Sequence, residues 1–175
     1  MAGKVKFKTL HSFLSRHPVV TTINTRWGDM DAFEHINNCN YFQYQEEARL
    51  QFFEAVLQHV DKQQTEFDVD QYITAKALGP ILADAYCKFK FPVKYPDTLL
   101  VGATISTPEH LLAGRYTLSY TFWSLQHSLV AAEGHSTVVS YDFSAAKAVN
   151  FPPSLVAAIQ DLLKKDSLHL LPPGE

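Results

Sequence analysis

TRWGDMDAFEHINNCNYFQYQEEARLQFF, residues 25–53, is the stretch of sequence that decides the fold. It begins with a strand-like segment, passes through a turn rich in aspartate and asparagine, and ends in a helical pattern. Residues 41–60 have a helical period, because apolar side chains recur every three or four positions: Tyr41, Tyr44, Ala48, Phe52, Ala55 and Val56. Asn40, followed three residues later by Gln43, is the predicted N-cap of this helix, and Asn38 is the alternative.

Strand patterns lie on both sides of this helix. Residues 19–27 are rich in β-branched side chains and predict a first strand. After a polar connection, four further strands are predicted, at residues 81–91, 99–105, 116–123 and 129–143. A C-terminal helix is predicted at 153–165. A helix as apolar as 41–60 needs a sheet against it, so the predicted fold class is α+β, a curved antiparallel sheet wrapped around one long central helix.

Composition narrows the class of protein. The chain has 175 residues, which suits a single domain, and its net charge of -3 gives no reason to expect nucleic-acid binding. No apolar run approaches the roughly 20 residues of a membrane span. Two cysteines are too few for a disulfide framework, which favours a cytoplasmic location. The N-terminal 20 residues carry four basic residues and no acid, so a mitochondrial targeting arm is the alternative.

Three separated segments carry a family resemblance. WGDMDAFEHINNCNYFQYQEEAR (27–49), GPILADAYCKFKFPVKYPDTLLVGATI (79–105) and AAEGHSTVVSYDF (131–143) resemble hotdog-fold thioesterases of the 4-hydroxybenzoyl-CoA thioesterase-like group. Lys90, Pro92 and Asp97 match the basic residue, proline and turn aspartate of that family. The resemblance implies a hotdog fold, assembly into homodimers or homotetramers by extension of the sheet, and hydrolysis of acyl-CoA or related acyl thioesters.

The resemblance also divides the chain and marks one departure. It covers residues 18–153 as a single hotdog domain, between an N-terminal arm at 1–17 and a C-terminal helix and tail at 154–175. Most relatives have glycine before the histidine of the turn, whereas this chain has Glu34. If this position needs a positive φ, a residue other than glycine costs on the order of 1 kcal/mol there.

The polar turn has the groups that thioester hydrolysis needs. The carbonyl oxygen needs hydrogen-bond donors, which a helix N-terminus supplies, and the carbonyl carbon needs an activated water or a carboxylate nucleophile. By the resemblance, Asp31 is the catalytic aspartate, as general base or nucleophile. On residue type alone it is a turn aspartate that bonds its own backbone. His35 and Asn37 are the other catalytic candidates, against packing at the helix entry and capping of the helix.

The remaining candidates concern substrate binding and turn shape. The predicted substrate-binding residues are Asn38, Tyr41, Lys90 and Lys94, with the lysines directed to the phosphates of coenzyme A. The alternatives are a cap for Asn38, the core for Tyr41 and exposed strand charges for the two lysines. Asp29 is expected to shape the turn. No cofactor is expected, and no metal-ligand set stands out.

Three competing functions stay open beside acyl-thioester hydrolysis. A non-catalytic protein that binds acyl thioesters on the same fold is compatible with the departure at Glu34. A hydratase or dehydratase is the second, although its motif places Asp and His five positions apart, and Asp31 and His35 are four apart. The third is nucleophilic catalysis by Cys39 with His35, for which no residue that would orient His35 is evident.

Overall fold

A single antiparallel sheet packs against one 20-residue helix and forms the body of the protein. The computed structural model describes residues 9–74, 76–106 and 108–164. The helices are α1 (Leu10–Leu14), α2 (Asn38–Leu57), α3 (Val69–Ile73) and α4 (Pro153–Lys164). The strands are β1 (Val19–Asn24), β2 (Leu78–Phe89), β3 (Thr98–Ile105), β4 (Arg115–Ser124), β5 (Leu129–Asp142) and β6 (Lys147–Ala148). This architecture confirms the predicted hotdog fold.

The strand order places β1 and β2 at opposite ends of the main path, which runs β1-β3-β4-β5-β2, and β6 adds a short pairing to β5. All pairs are antiparallel, with Val19 opposite Ala103 in β1 and β3, and Cys87 opposite Gly134 in β2 and β5. β2 therefore has a hydrogen-bonded neighbour on one side only among the described residues. An edge strand of twelve residues is a site for pairing with another chain.

Helix α2 has the apolar face that its sequence predicts. Its buried residues are Tyr41, Tyr44, Gln45, Ala48, Phe52, Val56 and Leu57. All of these side chains except Gln45 share one hydrophobic core with the sheet and with Leu155 and Ile159 of α4. The predicted N-cap, Asn40, is wrong, and so is the alternative, Asn38: the helix begins at Asn38 and its N-cap is Asn37. The amide of Asn40 instead donates a hydrogen bond to the carbonyl oxygen of Asp29, at 2.7 Å.

The N-terminal segment covers part of the other face of the sheet. Phe13 and Leu14 of α1 form a small second core with Leu100 and Trp123. His17 is buried beside them, and its Nδ1 lies 2.7 Å from the carbonyl oxygen of Phe13. Burial lowers the pKa of His17 to about 4. The predicted separation of an arm at 1–17 from a domain at 18–153 and a tail at 154–175 stays a prediction, and the end of that tail lies outside the described residues.

Two predicted strands differ from the observed ones for identifiable reasons. β1 ends at Asn24 rather than residue 27, because Trp27–Asp29 forms a turn of 3₁₀ helix. β2 carries a bulge between Leu82 and Asp84, so its side chains do not alternate uniformly along the strand. β6 was not predicted from the sequence. Among the described residues, no helix is both long enough and apolar enough to cross a membrane.

Candidate active site

The polar turn is a short hairpin-like loop that hydrogen bonds hold in front of α2. Met30 and Ile36 pair as an isolated antiparallel bridge. Inside that bridge, the N–H of Asp31 donates to the carbonyl oxygen of His35 at 2.9 Å. The N–H of Ile36 donates to the carbonyl oxygen of Val93 at 2.8 Å, which ties the loop to the segment after β2. The loop is thus fixed at both of its ends before the helix begins.

Asp29 fixes this loop through hydrogen bonds to Arg26 and Tyr44, in agreement with its predicted role in shaping the turn. Its side chain is 3% exposed. One carboxylate oxygen accepts from the backbone N–H of Arg26 and from the hydroxyl of Tyr44, and the other accepts from the guanidinium of Arg26. Burial raises the pKa of Asp29, but these hydrogen bonds lower it more, so the net shift is downward. Asp29 is therefore an ionised structural group.

Asp97 fixes the far side of the same region. Its backbone exchanges hydrogen bonds with Thr25, just after β1. Its buried carboxylate accepts from the hydroxyl of Ser124 and from the backbone N–H groups of Thr98 and Gln126. The turn aspartate that the family resemblance singled out therefore joins the ends of β1, β3 and β4.

Asp31 is held differently, with half of its carboxylate left unengaged. Oδ1 accepts a hydrogen bond from the N–H of Phe33 at 2.8 Å, which is the turn contact expected from residue type. Oδ2 has no hydrogen-bond donor among the described residues. The side chain is half-buried and lines two clefts. Asp31 is thus oriented by one oxygen and available through the other.

Glu34 has a positive φ, although this position has glycine in most relatives. Its φ is 59°, in the left-handed region where glycine is favoured. Its exposed carboxylate lies 3.4 Å from the ammonium of Lys94. The loop therefore keeps a positive φ at this position although glycine is absent.

The N-terminus of α2 opens on the same region. The side-chain oxygen of Asn37 accepts from the N–H of Cys39 at 2.9 Å, and its carbonyl oxygen accepts from the N–H of Asn40 at 3.0 Å. The N–H of Asn38 has no acceptor among the described residues. It is therefore a free backbone donor at the positive end of the helix dipole.

The first cleft brings most of the predicted site residues together. It has a volume of about 460 Å³. Its walls are Asp31, His35, Ile36, Asn38, Tyr41, Phe89, Lys90, Phe91, Pro92 and Val93. One cleft thus contains five of the predicted site residues: Asp31, His35, Asn38, Tyr41 and Lys90.

Tyr41, Lys90 and His35 have different environments within this cleft. Tyr41 is buried against Phe89 and Phe122, and burial raises the pKa of its hydroxyl. The ammonium of Lys90 forms an ion pair with Glu133 of β5, so its charge is already compensated. The ring of His35 is half-buried and has no hydrogen-bond partner among the described residues.

A second cleft meets the first at Asp31. It has a volume of about 450 Å³. Its walls are Trp27, Gly28, Met30, Asp31, Glu34, Lys94 and Tyr95. Lys94 therefore lies apart from the other predicted binding residues, and Asn37 lines neither cleft.

The alternatives at this turn find little support in the structure. Cys39 is exposed, and its Sγ lies 3.8 Å from the amide oxygen of Asn38, while no hydrogen bond joins it to His35 within the described part of the chain. Across the described part of the chain, no group of three or more His, Cys, Asp or Glu side chains is arranged to hold a metal ion.

The apolar walls of the first cleft and the whole of the second cleft were not predicted from the sequence. Phe89, Phe91 and Val93 wall the first cleft. In the sequence, Phe89 and Phe91 are ordinary residues of a predicted strand, and Val93 follows the proline that ends it. Trp27 is 76% exposed, although tryptophan in a strand-like segment is usually buried. Only the glycine that follows it, which signals the end of the strand, hints at this exposure.

Comparisons with known proteins identify the class. A family model described as the thioesterase-like superfamily matches residues 25–159, so the chain belongs to that superfamily. This match confirms the predicted enzyme class, a thioesterase. A comparison with curated proteins finds no match.

Solved structures give the same architecture. The PA2801 protein of Pseudomonas aeruginosa, a putative thioesterase, is 29% identical, with a TM-score of 0.63 over 82% of this chain and 98% of that one. Slr0204 of Synechocystis, a 1,4-dihydroxy-2-naphthoyl-CoA thioesterase, is 19% identical, with a TM-score of 0.66 over 82% and 96%. BH1999, a gentisyl-coenzyme A thioesterase, is 23% identical, with a TM-score of 0.63 over 81% and 99%. The last two likenesses show a shared fold.

Proposed function

We propose that this protein hydrolyses acyl-CoA thioesters to the free acid and coenzyme A, with Asp31 as the catalytic carboxylate. The observation that carries the proposal is that two residues of one cleft, Asp31 and Asn38, each have an unengaged polar group. Oδ2 of Asp31 has no donor, and the N–H of Asn38 at the start of α2 has no acceptor, among the described residues. A carboxylate and a backbone donor at a helix N-terminus are the two groups that acyl transfer to water needs.

The reaction follows from these two groups. The thioester carbonyl oxygen accepts a hydrogen bond from the N–H of Asn38, which strengthens as negative charge develops on that oxygen. As general base, Asp31 takes a proton from a water whose oxygen bonds to the carbonyl carbon. The carbon–sulfur bond then breaks, and the thiolate leaves and takes up a proton. As nucleophile, Asp31 itself bonds to the carbonyl carbon, and the carbon–sulfur bond breaks as the thiolate leaves and takes up a proton. Water then cleaves the resulting anhydride to the free acid and the Asp31 carboxylate.

The other predicted residues have supporting roles in this proposal. The ring of His35 lies in the same cleft and positions the water or the carbonyl group. Asn37 acts indirectly, because its side chain caps α2 and so sets the direction of the Asn38 N–H. Tyr41, with Phe89 and Phe91, forms an apolar wall for the acyl group.

The test is free-thiol release from CoA esters of straight-chain and aromatic acids. We expect hydrolysis of at least one ester by the wild-type protein and a loss of about 10²-fold or more in kcat for Asp31→Asn. Asp161→Asn, which removes an exposed carboxylate on α4 that pairs with Lys164, is the matched control and should keep wild-type kcat.

The outcomes separate the alternatives. Binding of esters without turnover would replace the hydrolase with a non-catalytic acyl-thioester-binding protein. Hydration of an enoyl-CoA without thiol release would identify a hydratase. Near-normal turnover by Asp31→Asn would overturn the assignment of Asp31 as the catalytic carboxylate, but the protein would still be a hydrolase.

We also propose that the protein is a homodimer or homotetramer assembled through β2. The outer edge of β2 has no strand beside it among the described residues, and the strand exposes Leu82, Tyr86 and Phe89. An edge of this kind favours pairing with a second copy. Sedimentation as a monomer at micromolar concentration would contradict this assembly.

The cytoplasmic location is a further part of the proposal. Both cysteines are free thiols, Cys39 on the surface and Cys87 half-buried in β2. Free thiols suit a reducing compartment. Fractionation of cells that express the full chain distinguishes this location from the mitochondrial alternative.

A further inference from the structure

The second cleft has an exposed tryptophan and an exposed lysine in its wall. It exposes the indole of Trp27, the ring of Tyr95 and the ammonium of Lys94. Gly28 leaves open space in this wall, because no described atom beyond Gly28 and its two chain neighbours lies within 4 Å of the position that a Cβ would take there. The lysine of the first cleft, Lys90, is in direct contact with Glu133.

The two clefts meet at one side chain. Of the residues that the structure describes, only Asp31 lines both. A thioester bond joins two chemically different halves, an acyl group and the thiol arm of coenzyme A, with its amides, hydroxyl groups and phosphates. A catalytic carboxylate must lie beside the bond that joins these halves. The halves of the substrate then extend from Asp31 in different directions, one into each cleft.

We propose that the second cleft holds the thiol arm of coenzyme A, with Trp27 packing against the amides of the arm and Lys94 pairing with a phosphate. The acyl group then occupies the first cleft. This assignment rests on the proposed hydrolysis of acyl-CoA and adds a direction to the bound substrate. It also gives different roles to the two lysines, Lys90 and Lys94.

The charges of the two lysines support this direction. The carboxylate of Glu34 lies 3.4 Å from the ammonium of Lys94, and both side chains are exposed. An exposed pair at this distance is weak, so a phosphate can replace Glu34 as the partner of Lys94. Lys90 is in direct contact with Glu133, and its side chain is 34% exposed against 54% for Lys94, so it has less charge to offer a ligand.

Two substrates with the same acyl group test the proposal. One is the CoA ester, and the other is the N-acetylcysteamine ester, which keeps the thioester and one amide but lacks the phosphates. The measured quantity is the ratio of kcat/KM for the CoA ester to kcat/KM for the N-acetylcysteamine ester. Interactions with the distal thiol arm change this ratio, whereas interactions with the acyl group cancel from it.

We expect Lys94→Met to lower the ratio about fivefold, mainly through a higher KM for the CoA ester. Trp27→Ala is expected to lower it about tenfold, and Trp27→Phe, which keeps an aromatic face, should restore most of the loss. Lys90→Met should keep the wild-type ratio. Lys62→Met, which removes an exposed charge from the connection after α2, is the matched control.

The possible results are distinct. If the wild-type protein hydrolyses neither ester, the proposed function fails. If both esters are hydrolysed but Lys94→Met and Trp27→Ala keep the ratio, only the placement of the thiol arm is overturned. A lowered ratio in Lys90→Met, with no change in Lys94→Met, would place the arm in the first cleft instead.

Discussion

Replacing Asp29 by asparagine should weaken the fold without touching the carboxylate proposed for catalysis. The two carboxylate oxygens of Asp29 accept four hydrogen bonds, at 2.8 and 2.9 Å on Oδ2 and at 2.8 and 3.0 Å on Oδ1. Two of the donors are the backbone N–H of Arg26 and the hydroxyl of the buried Tyr44. An asparagine keeps the shape of the side chain but has only one oxygen, so its NH₂ group must face two of these donors.

The cost of this change follows from which bonds survive. If the amide oxygen faces Tyr44 and the N–H of Arg26, only the bonds from the guanidinium are lost, and that group is 74% exposed and rehydrates. That orientation costs about 1 kcal/mol. The opposite orientation leaves the Tyr44 hydroxyl without an acceptor and costs about 3 kcal/mol. Because the side chain takes the orientation of lower free energy, we expect a loss of about 1 kcal/mol, which lowers Tm by about 2–4 °C in a chain of this size.

The lowered pKa of Asp29 predicts how its contribution to the stability of the fold changes with pH. Because the pKa of Asp29 is lower in the folded protein than its ordinary value of about 3.9, the ionised carboxylate stabilises the folded state above that pH. This contribution is lost as the pH falls through the lowered pKa, since the unfolded chain takes up the proton first. The stability difference between wild type and Asp29→Asn should therefore narrow below about pH 4.

Urea unfolding followed by circular dichroism, at several pH values from 7 to 3, measures both effects. Thiol release by the folded variant at pH 7 supplies the control for the site. An Asp29→Asn protein with wild-type stability at pH 7 would refute the reasoning about its hydrogen bonds. A stability difference that stays constant down to pH 3 would refute the reasoning about its charge.

Two further predictions concern the N-terminal segment and the site loop. Because burial lowers the pKa of His17 to about 4, acid should destabilise the fold progressively from about pH 6.5 to 4, by up to about 3 kcal/mol. His17→Asn, which does not titrate, should lack this slope in urea unfolding, and an unchanged slope would assign it to other groups. Glu34→Gly should be more stable than Glu34→Ala by about 0.5–1 kcal/mol, because glycine relieves the φ of 59° but has more entropy to lose on folding. Both variants lack the pair with Lys94, so an equal Tm for the two would show that the positive φ costs little here.

The fold was predictable because its main signals are local and periodic. The apolar period of residues 41–60 predicts α2 within a few residues of its observed bounds, and a helix so apolar requires a covering sheet. The N-cap was not predictable, because three asparagines lie within four residues and each has the right chemistry. The choice of Asn37 depends on Asp29, whose carbonyl oxygen binds the N–H of Asn37 and the amide of Asn40. Those contacts come from the folded turn and have no signature in spacing.

In the candidate site, too, the residue types were predictable from the sequence, whereas the roles that depend on contacts in the folded protein were not. Asp29 and Asp31 are two residues apart in one loop, and residue type gives them the same properties. What separates them is the number of donors that each carboxylate meets: four for Asp29, through Arg26 and Tyr44, and one for Asp31. A carboxylate whose oxygens are all engaged in the folded protein has a structural role, and one with a free oxygen in a cleft can act on a substrate.

The two lysines show why an ion-pair partner on a neighbouring strand cannot be predicted from the order of residues in the sequence. Lys90 and Lys94 lie four residues apart and are equal candidates for the phosphates of coenzyme A by sequence. The pairing of β2 with β5 places Glu133 opposite Lys88, within reach of Lys90, whereas Lys94 lies beyond the end of the strand beside an exposed loop. An acid 43 residues away in the sequence therefore compensates one of the two charges. The ratio of kcat/KM for the two esters, measured in Lys90→Met and Lys94→Met, tests whether this difference in partners also divides their functions.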